Sequence, residues 1–203
     1  MTNAIIIRAH GGPEVLSFET VVVANPAAGE VQIRHTAIGV NFIDVYYRTG
    51  LYPVAGGLPY IPGNEGAGIV TRLGQDVSGF AIGDRVTYAT GNGAYAEVRN
   101  ISAANLLNIP DGVSDQSAAA MMLKGMTAEY LLRRTFDVKA GDTILIHAAA
   151  GGVGLIAGQW AKHLGATVIG TAGSPEKVAL ALAHGYDMLL IIIRKISFRV
   201  FVS

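Results

Sequence analysis

Apolar and polar positions change period along this chain, and the change divides it. Up to about residue 110 the apolar residues come in short runs or alternate with polar ones, the period-two pattern of half-buried strands. Leu16–Val23 and Glu30–Val40 read as strands on either side of a turn at Pro26 and Gly29. The runs 69–73, 85–90, 95–99 and 106–109 read as further strands, separated by turn residues such as Gly83-Asp84. Asn41–Arg48 reads as a short helix, and Tyr52–Pro62, with three prolines and two glycines, as a loop. Strands at this spacing predict a compact β-domain, with a barrel as one form it can take. From Ser114, placed as a helix N-cap, the pattern turns helical through Arg134, with Gly125 interrupting it. The spacing therefore predicts a β-rich domain over 1–124 and an α/β unit from 125.

The second unit carries the most specific pattern. Thr143–His147 is a short apolar run that suits a buried parallel strand, and Ala148–Gly154 follows it with the spacing A-x-x-G-x-x-G. Val153, Ile156, Ala157, Trp160, Ala161 and Leu164 then recur at helical period until Gly165 stops the helix, and Thr167–Thr171 reads as the next strand. A strand that enters a helix through small residues lets backbone amides and the positive helix end approach a pyrophosphate. Gly151, Gly152, Val153 and Gly154 are therefore candidate dinucleotide contacts. The spacing differs by one residue from G-x-G-x-x-G, and a tight turn that binds nothing is the alternative. After the second strand comes Gly173-Ser174-Pro175-Glu176-Lys177, without the acid that would meet the ribose hydroxyls of NAD. Gly173, Ser174 and Lys177 suit a 2′-phosphate instead, which points to NADPH. Ser174 also reads as a helix N-cap with Pro175 in the first turn, and the two readings are compatible. The direction of Glu176 stays open.

Composition narrows the function classes. Of 203 residues, 51% are hydrophobic and 15% charged, ample for a packed core. The net charge of zero gives no electrostatic basis for nucleic-acid or anionic-membrane binding. With no cysteine there is neither a disulfide framework nor a thiolate zinc site. The N-terminus lacks the pattern of a signal peptide, and no apolar run approaches the roughly 20 residues that span a bilayer. The expectation is a cytoplasmic protein with no nucleic-acid or membrane partner.

Several stretches together resemble the zinc-independent, zeta-crystallin-like quinone oxidoreductases of the medium-chain dehydrogenase/reductase superfamily. They are His10-Gly11-Gly12-Pro13-Glu14-Val15-Leu16, Gly39–Asp44, Arg48–Pro53, Pro62–Gly68, Leu123–Thr127 and the Ala148–Gly154 turn. The resemblance covers about residues 4–186. It implies a β plus α/β chain: a GroES-like partly open β-barrel followed by a partial Rossmann (βαβ) domain. It further implies NADPH-dependent reduction of a small-molecule quinone, by a protein that forms a homodimer. An enoyl reductase of the same superfamily and a non-catalytic, weakly dinucleotide-binding fragment are the alternatives.

Zinc-dependent members of the superfamily take ligands from a Cys, a His in G-H-E and a later Cys. Asn41, Asn64 and Lys124 stand at the matching places here, a poor shell for Zn²⁺, so no metal is expected. The resemblance places Asn41, Asp44, Tyr46 and Tyr52 around the nicotinamide and substrate. Asn41 and Tyr52 would hydrogen-bond a developing oxyanion, and the two tyrosines would stack on a flat ring. It places Phe42, Ile43, Thr127 and Tyr130 against the cofactor, with Thr127 on the nicotinamide carboxamide. Plainer readings stand beside these. Asp44 can pair with Arg48 at i,i+4, Tyr46 can be core, Tyr52 a loop anchor and His147 a satisfied core histidine. Glu65 reads as a structural ion pair or backbone contact.

The resemblance stops near Asp187. The tail over 188–203 reads as an off-family segment, with Ile192 where the family has a Tyr that contacts NADPH. Residues 188–199 can be back-translated so that a frame two nucleotides later reads V-I-N-Y-H-P-E-N-F-V-S, which is family-like. The tail is therefore expected to be a frameshift product, with a natural short form as the alternative. On this reading the strands beyond 187 and the family's dimer edge are missing and turnover is poor. The run Leu189–Ile193 is then an exposed apolar strand inclined to pair with other chains.

Overall fold

A computed structural model of the chain describes residues 1–192. It divides into two units, Met1–Leu123 and Lys124–Ser203.

The first unit is built on antiparallel strands. Strands β1 (Thr2–Ile6) and β2 (Ser17–Val21) pair with each other. The main sheet holds β3 (Glu30–Gly39), β4 (Glu65–Leu73), β5 (Arg85–Ala89), β6 (Val98–Ser102) and β7 (Leu107–Asn108), in the order β6-β3-β4-β5-β7. That order is open, and single bridges from Ala4 to Ala96 and from Ile7 to Tyr60 tie β1 and the chain just after it to the rest. Alternation along the long strands puts Val31, Ile33, Val70, Val86, Tyr88 and Ile101 into one core. A second small cluster forms where Ala118 and Ala119, from helix α2 (Asp115–Tyr130), meet Ala67 of β4 and Ile109. Arg85 and Asp115 pair at 2.5 Å beside it.

Two expected strands are displaced. The run 69–73 extends back to Glu65, so a glutamate opens a buried strand. The run 95–99 is strand only from Val98, while Tyr95 and Ala96 bond to the N-terminal segment and to the chain around Pro62. Nothing in Tyr95-Ala96-Glu97-Val98-Arg99 breaks the run, so the sequence pattern alone does not mark where the pairing changes. Gly125 does not interrupt α2, which runs to Tyr130 and continues as a wide π-turn over Leu131–Thr135.

The second unit is a parallel sheet of β8 (Thr143–Ile146), β9 (Thr167–Ala172) and β10 (Met188–Ile191), ordered β10-β9-β8. Helix α3 (Gly152–His163) connects β8 to β9, and α4 (Pro175–Leu182) connects β9 to β10. Parallel neighbours need such crossovers, and this is the βαβ pattern the spacing predicts. Val168, Ala157, Ala161 and Tyr186 anchor the core, with the Tyr186 hydroxyl donating to the Gly154 carbonyl at 2.7 Å.

β8 is not buried on both faces: Leu145 is 54% exposed and Ile144 packs inward. His147 is exposed just past the strand, with Nδ1 3.2 Å from Thr171 Oγ1, and so is not a core histidine. The beginning of the tail is ordered as β10, in register with β9 from Met188↔Ile169 to Ile191↔Ala172. Leu189 packs on the core while Met188, Leu190 and Ile191 are exposed. The rest of the off-family tail, 193–203, lies outside the described residues.

Candidate functional site

In the first unit the site residues gather where β3 ends and helix α1 (Phe42–Arg48) begins. Asn41 is the N-cap, in extended conformation, and Asp44 sits at the third helical position. The Asn41 backbone N–H donates to Asp44 Oδ2 at 3.0 Å, one arm of a capping box. Two other elements also donate to this carboxylate. Asn64 Nδ2 reaches Oδ1 at 2.6 Å and the Tyr95 hydroxyl reaches Oδ2 at 2.8 Å. The expected i,i+4 partner Arg48 instead sends Nε to the Gly11 carbonyl at 3.3 Å. Glu65 completes the cluster: Oε1 accepts from Asn41 Nδ2 at 2.7 Å and Oε2 from the Leu123 backbone N–H at 2.8 Å. Asn41, Asp44, Asn64 and Glu65 are all buried. Burial and the Asp44 hydrogen bond raise the Tyr95 phenol above its ordinary range, so it stays a donor at neutral pH. Tyr60 is raised too, by burial and then the Asp44 charge.

Asn41 and Asn64, two of the positions at which the sequence resemblance would put zinc ligands, both lie in this lattice. Each amide there donates to a carboxylate, and among the described residues no group of three His, Cys, Asp or Glu side chains could hold a metal ion. The donor set does not fit zinc, which needs thiolate, imidazole or free carboxylate.

Outside the lattice lies an aromatic surface. Tyr46 sits 5.9 Å from Phe42 and 5.3 Å from Tyr52, and Tyr47 sits 5.9 Å from Tyr52. The Tyr52 N–H donates to the Tyr46 carbonyl at 3.1 Å, so the loop after α1 folds back on it. Phe42 is 74% exposed and Tyr52 43%, an uncovered patch of flat rings. Ile43 is partly buried on the same helix. The structure thus gathers Asn41, Asp44, Tyr46 and Tyr52 within one turn-and-helix segment.

In the second unit the chain leaves β8 through Ala148, which takes φ 53°, and enters α3 with Gly151 as N-cap. No side chain caps this helix and its first turn has no acid, so its positive end is left for an anion. A Cβ on Gly154 would lie 2.5 Å from the Ala148 carbonyl oxygen, and one on Gly152 would lie 2.6 Å from Lys124 Cδ. Gly154 is therefore fixed by close approach to backbone, whereas Gly152 faces a flexible lysine side chain. A groove of about 450 Å³ runs beside the turn, lined by Leu131, Phe136, Ile144, His147 and Val153 among others. Thr127 and Tyr130 stand one turn apart at the end of α2. At the end of β9, Gly173 faces open space. Ser174 caps α4, its Oγ accepting from the Lys177 N–H at 3.4 Å. The Ser174 hydroxyl also holds the Glu176 carboxyl below its usual range.

Residues 27–111 match the alcohol dehydrogenase GroES-like domain and residues 152–195 the zinc-binding dehydrogenase domain. Over 186 residues the chain is 54% identical to a quinone oxidoreductase of Pseudomonas aeruginosa and 50% to quinone oxidoreductase 1 of Escherichia coli. Each alignment covers 91% of this chain and 57% of the relative. The chain belongs to the quinone oxidoreductase family. Its structure superposes on the E. coli quinone oxidoreductase complexed with NADPH with a TM-score of 0.91 at 48% identity, covering 95% of this chain and 59% of that one. It is also 47% identical over 190 residues to a 2-haloacrylate reductase of a Burkholderia species. The chain thus spans about 57% of the length of these curated relatives.

Asn64, Glu65 and Tyr95 are members of the site that residue patterns did not single out as such. Their signal is indirect. A glutamate and an asparagine sit in an otherwise apolar, glycine-rich strand entry, where uncompensated burial is costly and partners are required.

Proposed function

We propose that the chain is an NADPH-dependent quinone reductase. The observation that carries this is the superposition on the E. coli relative complexed with NADPH, which covers 95% of this chain. The chain's own geometry fits the coenzyme. The uncapped α3 end and the cradle of Gly151, Gly152, Val153 and Gly154 suit the pyrophosphate. Gly173, Ser174 and Lys177 suit the 2′-phosphate, Thr127 the carboxamide, and Tyr130 the coenzyme's flank. When bound, NADPH supplies a hydride, and one proton from water completes the hydroquinone.

In the first unit Tyr46 and Tyr52 supply flat surfaces for a quinone ring, with Phe42 and Ile43 beside them. Asn41 and Tyr52 supply hydrogen-bond donors for the oxygen on which charge develops. Asp44, with three donors on its carboxylate, holds α1 in place rather than exchanging protons. Titrating the purified chain with NADPH, followed by fluorescence and then by NADPH oxidation with 1,4-naphthoquinone, tests the proposal. Saturable binding and quinone-dependent oxidation are expected. A chain that binds no NADPH sinks the coenzyme assignment, and one that binds it but ignores quinones sinks the substrate. The similarity to a 2-haloacrylate reductase favours a second reading, reduction of an activated carbon–carbon double bond. Running 2-chloroacrylate beside the quinone separates the two.

A further inference from the structure

We infer that Glu65 is a positioning residue for Asn41: its carboxylate sets which face of the Asn41 amide is turned to the substrate oxygen. The inference rests on the quinone-reductase reading. Glu65 is 0% exposed, and donors from Asn41 and from Leu123 both reach its carboxylate. Asn41 Nδ2 lies 2.7 Å from Oε1 and the Leu123 N–H 2.8 Å from Oε2. The acid is seated in a slot left by Gly39, where a Cβ would fall 2.3 Å from Glu65 Oε1 and 2.3 Å from the Ala119 carbonyl oxygen. Neither carboxylate oxygen can donate, so the Asn41 amide must show Glu65 its NH₂ group. The second N–H of that group is then held in a fixed direction, as a donor to a developing oxyanion requires. The Asn41 backbone is fixed separately, by its N–H on Asp44 Oδ2 at 3.0 Å. Backbone and amide are thus tied to two different carboxylates, and the capping box, in which the Asn41 side chain accepts from the Asp44 backbone, favours the same face of the amide.

Glu65→Gln separates this role from simple packing. The new amide keeps the volume and can still accept from Leu123 through its oxygen. It turns an NH₂ group towards Asn41, and the clash is relieved when the Asn41 amide turns over. A second variant, Glu65→Gln with Asn41→Asp, restores the pair with donor and acceptor exchanged. The probe is 1,4-naphthoquinone bound to the full chain, read by its affinity and by the carbonyl stretch in infrared difference spectra. The wild type should show a carbonyl stretch lowered by hydrogen bonding, and Asn41→Ala should lose that lowering.

Glu65→Gln should lose the lowering and bind about tenfold more weakly, the scale of one hydrogen bond, with a melting temperature near wild type. The exchanged pair should keep the melting temperature and still lack the lowering. Glu65→Gln with unchanged spectrum and affinity overturns the inference, as does an exchanged pair that regains both. Loss of the fold in both variants overturns it too, since the pair would then be structural only. A wild type that binds NADPH but no quinone overturns the substrate reading and this inference with it.

Discussion

At the scale of single residues, charge placement decides coenzyme choice and acid tolerance. Among the described residues Lys177 and Glu176 flank the Ser174 corner with opposite charges, and the Ser174 hydroxyl lowers the Glu176 carboxyl below its usual range. A 2′-phosphate gains from the first and is repelled by the second. Lys177→Glu should therefore weaken NADPH about tenfold or more beyond any effect on NADH, and Glu176→Gln should strengthen NADPH alone. Equal changes for both coenzymes in a fluorescence titration would remove these residues from phosphate recognition. His35 is a separate case. Its Nδ1 lies 2.6 Å from the Ala96 carbonyl and its Nε2 2.6 Å from the Tyr88 hydroxyl. Burial first, and then the Arg99 cation, lower it to about 4 from 6.5, against the pull of the Ala96 carbonyl. The unfolded chain therefore takes up a proton between those values that the folded chain refuses. The stability is whole above pH 6.5 and falls by about 2–3 kcal/mol as pH drops to 4. Urea unfolding across this range should show that slope, and His35→Gln should flatten it. A slope that persists in the variant assigns it to another group.

At the scale of elements, what the sequence made legible follows from how local the cause is. β8, the glycine turn, α3 and β9 were readable because periodicity and small residues fix them within thirty or so positions. The same holds for α1 and for Ser174 as the cap of α4. The exposed face of β8 was not readable, because the run Thr143–Ile146 is apolar on both faces while only Ile144 and Ile146 pack inward. Nor was the lattice: Glu65 meets Asn41 across 24 positions and Tyr95 meets Asp44 across 51. Such pairs exist only once β3, β4 and the 91–97 segment are in register. One packing on α3 was equally hidden. A Cβ on Gly158 would lie 2.2 Å from Tyr186 Cε2, so helix α3 sits directly on that ring. Gly158→Ala should cost about 1–3 kcal/mol by overpacking in spite of the better helix propensity of alanine. Chemical denaturation measures it. A neutral or stabilising result would mean that Tyr186 does not seat against α3 as described.

At the scale of the whole molecule, the two units are stabilised differently, and a bound coenzyme should reveal it. The first unit has a five-stranded antiparallel sheet and a hydrogen-bonded lattice of buried polar side chains. The second has a three-stranded parallel sheet with Leu145, Leu190 and Ile191 exposed. The second also carries the glycine turn and the chain's single tryptophan, Trp160 on α3. Tryptophan fluorescence therefore reports unfolding of that unit, while the total heat absorbed reports both. A ligand that binds only folded protein stabilises it by RT ln(1 + [L]/Kd), about 2.7 kcal/mol at a hundredfold excess over Kd. For a unit of this size each kcal/mol is worth about 4–8 °C. Saturating NADPH should thus raise the Trp160 transition by about ten degrees or more. A chelator should move neither transition, because the Asn41 and Asn64 amides bonded to Glu65 and Asp44 make a poor shell for zinc. Scanning calorimetry with parallel fluorescence makes the measurement. If NADPH shifts the calorimetric trace but leaves the Trp160 melt unchanged, the coenzyme does not bind at the glycine turn.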